Sequence, residues 1–134
     1  MINGTITTDK PKCWDRLVAK FGCEWKDIVV TYGGVIHSPN PVVDDVLAHE
    51  LVHVRQQFGH DADEWCDRYI ADAHFRYRME LEAYRVQYGF WKKHIRGKQA
   101  LDAALLRMAK DLSGPMYGGI VSTEEAKRKI KNGR

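Results

Sequence analysis

Asn40-Pro41-Val42-Val43-Asp44-Asp45-Val46-Leu47-Ala48-His49-Glu50-Leu51-Val52-His53-Val54-Arg55-Gln56-Gln57-Phe58-Gly59 is the stretch on which the reading of this chain turns. Asn40 followed by Pro41 makes an N-cap and first-turn pair, and Gly59 is a natural stop, so the spacing predicts a helix over about 41–58. Two rows run along it at helical spacing. Val43, Leu47, Leu51, Val54 and Phe58 form an apolar stripe, and Val42, Val46, His49, His53 and Gln57 form a second. Both histidines therefore face inward, where an imidazole without a partner is costly.

Within that helix, His49-Glu50-Leu51-Val52-His53 carries chemistry. Residues four apart lie one turn along and nearly in line, so the two imidazoles can converge on one ion, which is half of a tetrahedral zinc site. Glu50, about a quarter turn round from His49, is poorly aimed for ligation but can take a proton from a water that the ion activates. The plainer reading makes His49 and His53 ordinary helix histidines with local hydrogen bonds and leaves Glu50 solvated. The inward face of the histidines argues against it.

A catalytic zinc needs a third protein ligand while keeping a fourth position open. An extended form of the motif would place Gly and then His after His53. Gly59 fits, but Ala62 and Asp63 occupy the histidine positions, so the ligand is sought in a later carboxylate. Glu80 and Glu82 are the two candidates. Around a helix Glu80 is neighboured by Ala73, Tyr77, Ala83, Tyr84 and Gln87, a patch small enough for close helix approach. Glu82 is flanked by Arg78, Arg85 and Gly89, where ion pairs on a wet face account for it. Glu80 is preferred and Glu82 stays as the alternative.

Working outward, residues 2–8 alternate weakly and suit an edge strand, and residues 11–21 read as a short amphipathic helix opened by Pro11 and closed by Gly22. Ile28–Tyr32 and Val35–His37, separated by Gly33-Gly34, read as a hairpin. Residues 64–94 are helical, with an interruption near Ala71–Ala73. Tyr77, Leu81, Tyr84, Tyr88 and Trp91 form one apolar stripe there, and Phe75, Met79, Val86 and Phe90 another. A further helix spans about 98–112 before Gly114-Pro115. Ser122 with Glu125 makes a capping box for a last, basic helix over 122–134. The expected class is α+β with helix dominant, in one domain with a core over 26–112.

At 134 residues with a net charge of +3, the composition is that of an ordinary globular chain, without the bias of disordered, collagenous or coiled-coil sequences. No secretory signal or membrane-length apolar run is visible, and three cysteines without a Cys-x-x-Cys pair suit reduced thiols, so a cytoplasmic location is expected. Lys127, Arg128, Lys129, Lys131 and Arg134 make the C-terminus basic. A solvated helix explains it, with a nucleic-acid or acidic partner as the lesser reading.

With the His-Glu-Leu-Val-His motif and Glu80-Leu81-Glu82-Ala83-Tyr84 both in view, the chain resembles the gluzincin metallopeptidases, especially the single-domain minigluzincins, and phage and bacterial proteins of that kind. The resemblance implies a small zincin-like domain in which a short sheet packs on the active-site helix, with Zn2+ held by His49, His53 and a glutamate on a later helix, Glu80. It implies Ala83 at a close helix contact and Tyr84 where the family carries an Asp behind a ligand. Gln57, in the paired glutamines after His53, is expected to line the cleft. The implied function is hydrolysis of a peptide or protein substrate, with Glu50 as general base and Tyr117 as a candidate donor to the oxyanion. It also implies that Val35-Ile36-His37 is an edge strand to which extended substrate adds. The rival reading is a zinc-binding scaffold or interaction protein of zincin fold without turnover.

Overall fold

The computed structural model describes residues 4–133, so Ile2, Asn3 and Arg134, which enter the sequence expectations, lie outside the described residues. The chain is α+β and dominated by helix. It divides into two compact units, one up to Asp72 and one from Ala73.

In the first unit, helix α1 spans Trp14–Phe21. It starts later than expected because Pro11 heads a separate turn, its carbonyl accepting from the Trp14 N–H at 3.0 Å. Gly22 closes the helix at φ 66°, a left-handed conformation that glycine adopts without strain. Trp14 and Leu17 are buried with Cys13 and Cys66, and Trp25 packs edge-on against Trp14 at 5.3 Å between ring centres. Cys13, Cys23 and Cys66 are free thiols.

Strands β1 (Thr5–Thr7), β2 (Val30–Tyr32) and β3 (Val35–His37) form a sheet of order β1-β3-β2. Strands β2 and β3 pair antiparallel around the Gly33-Gly34 turn, where Gly33 sits at φ 63°. Strand β1 adds in parallel to the other side of β3, Ile6 opposite Ile36. Val35-Ile36-His37 is therefore the central strand, not an edge, and extended substrate cannot add to it. His37 is buried and its Nδ1 is 2.8 Å from the Asp9 carbonyl.

Helix α2 spans Asp44–Gln57. Asn40 and Pro41 do not begin it. Asn40 donates its side-chain amide to the Lys26 carbonyl at 3.2 Å, and Ser38 Oγ donates to the Asn40 carbonyl at 2.6 Å, which holds this segment as a loop. The helix starts where Asp44 and Asp45 meet the positive end of its dipole. The first predicted stripe is shorter than expected. Val43 and Phe58 lie beyond the helix ends and are 62% and 71% exposed, while Val54 is buried. In the second stripe His49, His53 and Gln57 are all buried.

Helix α3 (Ala62–Ala71) is capped by Asp61, whose side chain accepts from the Glu64 N–H at 3.0 Å. Asp63, in its first turn, accepts from Lys12 at 2.8 Å, Arg16 at 3.0 Å and the Tyr32 hydroxyl at 2.6 Å, tying α1, β2 and α3 together.

The second unit holds helices α4 (Ala73–His94), α5 (Lys98–Leu112) and α6 (Thr123–Asn132), packed on one another, with a 3-10 turn at Pro115–Tyr117. Helix α4 buries Phe75, Tyr77, Leu81, Ala83 and Tyr88, whereas Val86, assigned to a stripe, is exposed. Helix α6 opens on the expected capping box of Ser122 and Glu125 and buries Ala126 and Ile130. No helix among the described residues is long and apolar enough to cross a membrane.

Candidate metal centre

His49 and His53 lie one turn apart on α2 and are 7% and 5% exposed. Their Nε2 atoms are 3.3 Å apart. Two imidazoles binding zinc at about 2.0–2.1 Å with a tetrahedral angle between them bring their nitrogens to about 3.3–3.4 Å, so this pair is spaced as a zinc ion requires. The other nitrogen of His53, Nδ1, is 2.8 Å from Gln56 Oε1. An amide oxygen can only accept, so the proton sits on Nδ1 and the Nε2 lone pair is left for a metal. The His53–Gln56 pair, in the last turn of α2, is the i, i+3 neighbour contact of an ordinary α-helix.

Glu50 is 6% exposed. Its Oε1 accepts from the Thr31 hydroxyl on β2 at 2.8 Å, and its Oε2 lies 3.8 Å from His49 Nε2. A buried carboxylate without partners would be costly. This one has a hydroxyl on one oxygen and an imidazole near the other.

Among the described residues, one group of three ligand-type side chains could hold a metal ion: His49, His53 and Glu80, all buried, with ligand atoms within 4.8 Å of one another. Two imidazole nitrogens and a carboxylate oxygen are a donor set that suits zinc. Glu82 is exposed on α4 and does not belong to that group.

No family model, no curated protein and no solved structure matches this chain.

The remaining expected site residues have defined surroundings. Tyr84 on α4 donates its hydroxyl to Asp111. Burial first, and then Tyr117, Asp111 and Glu80, push its phenol above the ordinary range, so it stays protonated as a donor. Tyr117 is buried in the 3-10 turn, which Arg76 ties to α4 by donating Nε–H to the Met116 carbonyl at 2.8 Å. That contact anchors the turn to α4. Gln57 donates to the Thr31 carbonyl at 2.9 Å and accepts from the Gly33 N–H at 2.5 Å, so its amide is engaged by the hairpin backbone.

Two residues were missed by the sequence reading. Gln56 was legible, because a side chain three positions after a helix histidine is its neighbour. Thr31 was not, since only the fold brings β2 beside Glu50.

Proposed function

We propose that this protein is a zinc-dependent peptidase of the gluzincin kind, with His49, His53 and Glu80 as metal ligands and Glu50 as general base. The observation that carries it is the buried His49–His53 pair, its Nε2 atoms 3.3 Å apart and the His53 tautomer set by Gln56. When bound, zinc supplies Lewis acidity, lowering the pKa of a water toward neutrality and polarising a substrate carbonyl.

The chain's own residues do the rest. Glu50 accepts the proton from the attacking water and returns it to the leaving amine. Thr31 occupies Oε1 of that carboxylate. Tyr117, buried in the 3-10 turn, is the candidate donor to the oxyanion.

The test is cleavage of a broad peptide library by zinc-loaded wild type beside Glu50→Gln, with zinc content measured for both. Cleavage by wild type that Glu50→Gln abolishes while keeping its zinc supports a peptidase. Equal zinc in both with no cleavage by either favours the zinc-binding scaffold. Cleavage that persists in Glu50→Gln removes Glu50 from the role of base.

A further inference from the structure

Helix α2 grips strand β2 at two points. Glu50 takes the Thr31 hydroxyl at 2.8 Å, and two turns later Gln57 donates to the Thr31 carbonyl at 2.9 Å and accepts from the Gly33 N–H at 2.5 Å. Seven residues return a helix side chain to nearly the same face, so both grips come from one side of α2. The amide of Gln57 pairs with one carbonyl and one N–H two residues apart, as a neighbouring strand would. It closes this stretch of the β2 edge, whose other side is paired with β3.

We infer that Thr31 and Gln57 are positioning residues for Glu50: Gln57 clamps the backbone of β2, and the clamped Thr31 hydroxyl aims the Glu50 carboxylate. A glutamate carboxylate, carried on three rotatable side-chain bonds, reaches many orientations. The bond from Thr31 selects one of them by holding Oε1, with Oε2 placed 3.8 Å from His49 Nε2. A base that must meet its proton at hydrogen-bond distance loses rate when its orientation loosens, without losing substrate affinity. The inference rests on Glu50 acting as the base, but the aim of its carboxylate is measurable without turnover.

The experiment compares Thr31→Val, which keeps shape and strand propensity, with Thr31→Ser, which keeps the hydroxyl. In metal-free protein, the side-chain carboxyl carbon signal of Glu50 in NMR is expected to move in Thr31→Val and to return toward wild type in Thr31→Ser. In zinc-loaded protein, Thr31→Val is expected to lower kcat about tenfold to a hundredfold with little change in KM or zinc content, and Thr31→Ser to recover most of it. Gln57→Ala is expected to speed exchange of the Gly33 amide hydrogen at least about tenfold. A Glu50 signal unmoved by Thr31→Val, equal damage from Val and Ser, or an unchanged Gly33 exchange rate would each overturn the assignment. If wild type cleaves nothing, the peptidase reading fails on its own, and the Glu50 signal and Gly33 exchange still decide the positioning roles.

Discussion

Two acids of the first unit, Asp63 and Glu50, both have defined partners, and the way each is engaged separates structure from chemistry. Asp63 stands at the surface among Lys12, Arg16 and the Tyr32 hydroxyl. Opposite charges and a phenol account for it, and its work is to join α1, β2 and α3. Glu50 is buried, meets one hydroxyl, and lies beside an imidazole that itself faces another. A surface acid with cations needs no further purpose, whereas a buried acid beside two facing imidazoles is expensive to keep and points to a site.

That contrast can be broken in several ways. The largest expected effect is that of His53→Ala, which removes one of the two facing nitrogens: stoichiometric zinc binding should be lost, as read by metal analysis after dialysis. Glu50→Gln should retain zinc and lower kcat by about a hundredfold to ten-thousandfold, the range that general-base catalysis contributes. Retention of near-full activity would place Glu50 with Asp63 as a structural acid.

Gln56→Ala should weaken zinc affinity by about tenfold to a hundredfold in a competition titration with a chelator, because the His53 proton is no longer held on Nδ1. An unchanged affinity would mean that His53 is oriented by other means.

The smallest effect concerns Asp63. The Lys12 ammonium, and then the Tyr32 hydroxyl, hold its carboxyl down to about 2. Because the folded value lies below the unfolded one, the stabilisation is present above the ordinary carboxylate range, about 4, and is lost as pH falls from there towards 2. Asp63→Asn should be less stable than wild type at neutral pH, and the gap should close on acidification, as followed by thermal unfolding across that window. A gap that stays constant with pH would mean that the charge of Asp63 is not what ties the helices.

How much of this was written legibly in the chain depends on how local each feature is. The His49–His53 register, the α5 boundaries, the break before Ala73 and the Ser122–Glu125 capping box all depend on residues within one or two helical turns, and the structure agrees with each. The sheet order was hidden because β3 pairs with β1, a strand far away in sequence, and no local pattern records a parallel partner. The start of α2 was misread because Asn40-Pro41 is as good a loop as it is a cap, and hydrogen bonds to Lys26 and Ser38 decide between them. The inward face of the histidines was readable. The hydroxyl that meets Glu50 was not, because Thr31 reaches it only through the fold.

The central claim is that His49, His53 and Glu80 share one cation. Zinc stoichiometry by equilibrium dialysis, on wild type, Glu80→Gln and Glu82→Gln side by side, tests it most directly. The account predicts one zinc per wild-type chain, retained in Glu82→Gln and lost or greatly weakened in Glu80→Gln. Wild type without zinc, or Glu80→Gln binding it as tightly as wild type, would contradict it.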